Sequence, residues 1–164
     1  MNKELMLTLV NSVIKVDRGG PESRVGKLLD VGGDHFTMYT KEDGVVYYKM
    51  QHVKSVTVDV KGGLDQDFEV PENLVWHKGD AFKNVIPKFR NQWVKVNRGG
   101  PEMLEGMLNE VENDYISVFS KDELVRYSMF HIRNISYGHM KHAKKEDEQE
   151  KNEGGKNTGA RKRN

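Results

Sequence analysis

Histidines and carboxylates are the first side chains to weigh for chemistry. His139 and His142 stand three residues apart, the spacing of two metal ligands on one helix face. Two ligands fall short of the three or four that a zinc site takes from its protein. His52 and His131 occupy matching places in two similar segments, which reads as packing rather than catalysis. Asp65, Asp67 and Glu69 alternate along the chain, yet the loop glycine and closing glutamate of an EF-hand are missing. There is no cysteine, so disulfides, thiolate metal sites and a cysteine nucleophile are excluded. The sequence holds no G-x-S-x-G, H-E-x-x-H or P-loop pattern. No catalytic residue, cofactor or metal is expected, and the chain reads as a non-enzyme.

A glycine pair is the other candidate. Asp17-Arg18-Gly19-Gly20-Pro21-Glu22 returns as Asn97-Arg98-Gly99-Gly100-Pro101-Glu102. A phosphate-cradling loop needs free backbone N–H groups and a helix behind them. Here proline removes a donor, and a strand-like segment follows. The motif reads instead as a structural turn. Its glycines can take the positive φ of a tight hairpin, and the proline pushes its predecessor out of the helical region. Arg18 with Glu22, and Arg98 with Glu102, are expected to form local ion pairs or turn hydrogen bonds.

The elements that would hold these turns are themselves written twice. KVDRGGPESRVGKLLDVGGDHF (Lys15 to Phe36) aligns with KVNRGGPEMLEGMLNEVENDYI (Lys95 to Ile116), and VYYKMQHVKSV (Val46 to Val56) with VRYSMFHIRNI (Val125 to Ile135). One residue is lost in the second segment near the turn at Gly44, where length changes cost little. Each unit reads as a short helix and about five bent antiparallel strands. Leu5, Met6, Leu9, Val10 and Val13 fall at helical spacing, as do Phe82, Val85, Ile86 and Phe89. Asp80 is the expected N-cap of the second helix, and Pro87 is expected to kink it or shift its start. The predicted strands are 13–16, 24–31, 36–39, 45–50 and 53–58, then 93–96, 104–111, 116–119, 125–129 and 132–137. Gly26 and Gly106, inside the second strands, mark the bend of a curling sheet. Tyr47, Tyr48, Trp76, Trp93 and Tyr127 are expected in the core, or at a contact between the units or between chains.

These features divide the 164 residues into a first repeat (1–58), an acidic linker (59–78), a second repeat (79–138) and a tail (139–164). The linker is expected to be solvated. The tail has almost no apolar content and is expected to be disordered. It is zwitterionic, with an acidic-rich stretch from Glu146 to Glu153 and a basic one holding Lys156, Arg161, Lys162 and Arg163. Those four residues are the candidate contact with an anionic mineral or phosphate surface. The formal net charge of +1 favours neither a membrane nor a nucleic-acid partner. Glu4 and Asn11 interrupt the first apolar stretch, so no signal peptide is expected.

The pattern G-x-L-x-x-V-x-x-D, at Gly26 to Asp34 and again at Gly106 to Asp114, resembles the first motif of Sm-like small barrels. That implies a mainly-β fold of two tandem Sm-like barrels. The barrel pattern and the basic end of the tail make an Sm-like RNA-binding module the alternative reading, but QHVKSV and FHIRNI stand where an Sm protein carries its second motif, which is missing here. The doubled RGGPE, together with YYKMQHVKSV and YSMFHIRNISYG, is similar to the spore coat protein B (CotB) family of endospore-forming bacilli, over nearly all of Met1 to Gly138. This resemblance implies a structural component of the outer spore coat, made in the mother-cell cytoplasm and exposed on the mature spore. It also implies assembly through self-association, as a homo-oligomer, and through other spore coat proteins. Long family members carry a Ser/Lys/Arg-rich tail that can be phosphorylated. This tail contains no serine and only Thr158 as a hydroxyl, so tail phosphorylation is not expected. Removal of Lys156 to Asn164 should weaken adsorption of the protein to silica beads at low salt, measured by depletion from solution.

Overall fold

Two hydrophobic periodicities build the molecule: a brief helical one at the head of each half, then strand alternation. The computed structural model describes residues 1–61, 63–64 and 68–138. In the first half α1 (Lys3–Thr8) precedes β1 (Val13–Val16), β2 (Arg24–Val31), β3 (His35–Thr40), β4 (Gly44–Lys49) and β5 (Val56–Val58). In the second, α2 (Phe82–Val85) precedes β6 (Trp93–Val96), β7 (Leu104–Val111), β8 (Tyr115–Ser120), β9 (Glu123–Ser128) and β10 (Asn134–Tyr137). All ten strands join one antiparallel sheet in the order β5-β1-β2-β3-β4-β10-β6-β7-β8-β9.

Four local devices shape each half alike. Asn11 and Asn91 take positive φ, 71° and 61°, a conformation Asn tolerates, and turn the chain from helix into strand. Val13, which fits the helical spacing, therefore opens β1 instead. Gly26 and Gly106 pass so close to β3 and β8 that a Cβ on either would collide with a carbonyl oxygen, of Tyr39 or of Phe119. Bulges follow at Leu28/Asp30 and Leu108/Glu110, and bulges bend a strand and raise its twist. Short 3-10 turns at Met50–His52 and Met129–His131 take residues that alternation alone assigns to strands. β5 and β10 consequently start three and two residues later than 53 and 132.

The second helix differs from its sequence reading. It changes to a 3-10 turn over Ile86–Phe89, with Pro87 near that turn's start, because proline can neither donate nor fit inside a longer helix. Asp80 is not its cap. The residue before the helix is Ala81, without a side-chain cap. The Phe82 N–H instead donates to Asp34 Oδ1 at 2.7 Å. Asp34 lies in the β2–β3 turn of the other half, so the helix is capped across the molecule.

Two cores result. One gathers Met6, Ile14, Leu28, Phe36, Val46 and Tyr48. The other gathers Phe82, Ile86, Phe89, Val96, Ile116 and Ile135, and takes in Val45 and Tyr47 from β4. β4 thus alternates between the cores and is buried on both faces. The segment read as a solvated linker also packs. Leu74 and Trp76 lie against the second core, and the Tyr47 hydroxyl accepts from His77 N at 2.8 Å. Asp34→Ala should lower stability by about 1–2 kcal/mol, as loss of a cap does, while Asp80→Ala should change it by less than about 0.5 kcal/mol; urea unfolding of the two variants checks this.

Candidate functional site: a seam between the halves

With five strands between them in sequence, β4 and β10 pair with Tyr48 opposite Asn134, Tyr47 opposite Ile135 and Val46 opposite Ser136. β10 pairs on its other side with β6. The last described strand therefore closes its own half and joins it to the other. Lys49 N donates to Arg133 O at 2.9 Å beyond the register.

The two RGGPE turns connect β1 to β2 and β6 to β7, and at the seam they are not equivalent. Arg98 is 5% exposed. Its guanidinium pairs with Asp43 and donates to Ser136 Oγ through Nη2 at 2.6 Å. Asp43 also accepts from Arg24 Nε at 2.8 Å. Burial, with the Arg24 charge adding to it, pulls the Arg98 guanidinium down to about 10, so it keeps its proton at neutral pH. Glu22 pairs with Arg133 and lies 3.9 Å from Lys54. Neither pair is the local one expected within RGGPE, because the seam draws Arg98 and Glu22 onto partners from the opposite half.

Gly99 explains part of the hexapeptide. It has φ +76°, and a Cβ there would collide with the Pro21 carbonyl; at Gly100 it would lie 2.8 Å from Glu22 Oε1. The second turn is thus pressed against Pro21 and Glu22 of the first. Pro101 and Glu102 are exposed. In the first turn Arg18, Gly19 and Gly20 are also exposed, and nothing lies within 4 Å of a Cβ at Gly19 or Gly20. Lys49 is buried as well, donating to Met129 O with its Nζ 5.1 Å from the Phe82 ring centre. Burial lowers its pKa, opposed by Asp34.

Sequence reading missed the roles of Asp43, and of Arg133 within the repeated FHIRNI segment, and also those of Asp17 and Asn97. Both of the latter take positive φ, 53° and 52°. Asp17 Oδ1 accepts from Lys54 N at 2.9 Å, and Asn97 Oδ1 from Arg133 N at 2.7 Å, so each fixes the approach to β5 or β10. A short polar residue before the Arg-Gly-Gly was the available signal. His52 Nε2 lies 2.9 Å from Phe130 O, and His131 is exposed. Tyr127 is half-buried and accepts from Asn97 Nδ2 at 2.6 Å. Asp65, Asp67, His139, His142, Lys156, Arg161, Lys162 and Arg163 lie outside the described residues. Among the described residues no cluster of three or more His, Asp or Glu could hold a metal, and no helix is long and apolar enough to cross a membrane.

The far end of the sheet carries the counterpart of the seam without a partner. β9 is half-buried only at Val125 and Tyr127 and exposed at its other positions, whereas β4 is buried from Val45 to Lys49. A groove of about 670 Å³ runs beside β9, lined by Asn97, Glu102, Leu104, Tyr127, His131 and Arg133 among others. Phe119 and Leu124, paired across β8 and β9, are 48% and 41% exposed.

No family model matches the chain, and no solved structure matches it at a significant level. Two curated proteins of Bacillus subtilis (strain 168) are similar to it. Spore coat protein B is 34% identical over 140 residues, 85% of this chain. The uncharacterized protein YwrJ is 27% identical over 139 residues, 80% of this chain. The chain spans 36% of the length of the first and 57% of the second. A match of 140 residues must take in strands from both halves.

The seam geometry predicts unequal effects for equal substitutions. Gly99→Ala should destabilise by about 2–4 kcal/mol through strain at positive φ and the collision with Pro21. Gly19→Ala should stay within about 0.5 kcal/mol of the parent. Urea midpoints of the two single variants decide it.

Proposed function

The chain is a spore coat protein B-like protein, and on that premise we propose that it is a structural protein of the outer layer of the bacterial spore coat, assembling with copies of itself and with other coat proteins. The similarity to spore coat protein B across both halves carries this reading. The arrangement of charged groups supports it. Arg98, Asp43 and Glu22 are spent on holding the two halves together. A sheet whose end strands, β5 and β9, each pair on one side only suits a building unit, because a free edge is a template for another strand.

The finer parts of the proposal follow the same premise. The protein is made in the mother cell and is exposed at the surface of the mature spore. Each half behaves as an Sm-like small barrel, with the Gly26 and Gly106 bends and the matching bulges as its curling points. The basic end of the tail, Lys156 to Arg163, touches anionic mineral or phosphate.

Immunogold labelling of intact mature spores, beside sections of vegetative cells of the same strain, tests the assignment. Label on the spore surface is the expected result. Label in the growing cytoplasm with bare spores would overturn it in favour of the Sm-like RNA-binding alternative.

A further inference from the structure

Strand registers define equivalent positions in the two halves. Gly44 and Glu123 both pair with the last residue of the preceding strand, so Val46 matches Val125 and Tyr48 matches Tyr127. Val56 opposite Val16 matches Ile135 opposite Val96, so Thr57 matches Ser136. On this mapping the β4·β10 seam has a second, unoccupied version. Its acceptor edge is β9, at one end of the sheet, and its donor edge is β5, at the other.

Taking the coat-protein reading as given, we infer that a second copy of this chain adds its β5 to the free edge of β9. The contact repeats the β4·β10 seam head to tail, with Ser55 opposite Tyr127, Val56 opposite Arg126 and Thr57 opposite Val125.

The charges needed for the contact are in place, and of the four only Lys54 already has an ion-pair partner, Glu22 at 3.9 Å. Arg18 stands where Arg98 stands in the seam, and Thr57 supplies the hydroxyl that Ser136 supplies there. Asp122 lies in the β8–β9 turn, as Asp43 lies in the β3–β4 turn. Lys54 replaces Arg133, and Glu102 replaces Glu22. At these four positions the β5 edge is basic and the β9 edge acidic, so each edge meets its opposite rather than itself. Among the described residues Arg18, Asp122 and Glu102 have no ion-pair partner within the chain.

Apolar surface and turn shape agree. Leu124 matches Val45, which the seam buries to 6% exposure, yet Leu124 is 41% exposed. Leu5 stands six residues before Asn11, as Val85 stands six before Asn91. Val85 is fully buried in the core that takes in Val45 and Tyr47, while Leu5 is 51% exposed. Gly19 keeps open the space that Gly99 uses against Pro21, and in the assembly it would face Pro101. The repetition stops at one corner. Gly32 and Gly33 abut Gly79 and Asp80 in the seam, and the corresponding corner carries Glu112 and Asn113. Such a heterologous contact makes a ring if its rotation closes and a fibre if it does not.

The absence of cysteine allows a direct test with the full chain. Directly opposed antiparallel residues have Cα atoms about 4.5–5.5 Å apart, within disulfide range. Thr57→Cys with Val125→Cys should give, on oxidation, a ladder of dimers, trimers and higher multiples on a non-reducing gel that collapses on reduction. Thr57→Cys with Glu123→Cys, two residues out of register, should give at most about a tenth of that yield. In the paired-cysteine chain Arg18→Glu should cut the ladder about tenfold or more, as loss of a buried charge partner does, and adding Asp122→Arg should restore it. Circular dichroism confirms that each variant is folded. No ladder, equal yield from the shifted pair, or dimers alone would overturn the inference. Surface-labelled spores without a ladder would reject this contact and leave the coat assignment standing; a ladder with bare spores would do the reverse.

Discussion

Everything in this molecule hangs on one strand pairing, that of β4 with β10. Without it there would be two small sheets, each with few buried side chains, and small units bury too little surface to be secure alone. With it, β4 changes character. An edge strand keeps one row of backbone groups in water, whereas β4 is bonded on both sides and buried on both faces. Val45 and Tyr47 serve the second core while Val46 and Tyr48 serve the first. The Asp34 cap on α2 and the docking of the second RGGPE turn on Pro21 follow from the same closure.

The Arg98–Asp43 pair is best understood as a register device. Desolvating two charges costs about as much as their attraction returns, so a buried pair is a poor source of net stability. Its selectivity is greater. If β10 slipped along β4, Arg98 would lie buried away from its carboxylate, and a one-residue slip would also exchange the faces of every side chain. Arg24 holds Asp43 from the other side, so the carboxylate is in place before Arg98 arrives.

Much of this was legible in the sequence because local chemistry decided it. Strand alternation located all ten strands, and the strand glycines marked where the sheet bends. The Asn97 and Arg98 positions stood out as part of a repeated turn. What escaped depended on contacts between residues far apart in the chain. Alternation along Val45 to Lys49 says that a strand forms, but not that a strand ninety residues away will cover its open side. Asp80 is a sound N-cap by type, yet Asp34 reached the Phe82 N–H first because the β2–β3 turn packs beside it. Arg18 and Arg98 are both followed by Gly-Gly-Pro-Glu and have opposite surroundings in space, so the shared motif could not separate them. The linker's Leu74, Val75 and Trp76 form a short apolar run in an acidic stretch, and only the second core explains why Leu74 and Trp76 pack.

The position of β10 in the chain also sets an order of events. Synthesis runs from the N-terminus, so β1 to β5 emerge long before Asn134 to Tyr137. Through that interval β4 presents a bare edge above a half-covered core. Contacts of this sequence separation form slowly, and an unpaired edge is open to a strand from another molecule while it waits. A neighbouring nascent chain offers an identical β10, so two chains can trade their closing strands and emerge as an exchanged pair with every hydrogen bond of the seam intact. Crowded synthesis would then favour interlocked molecules, and dilute synthesis self-closed ones, from the same sequence.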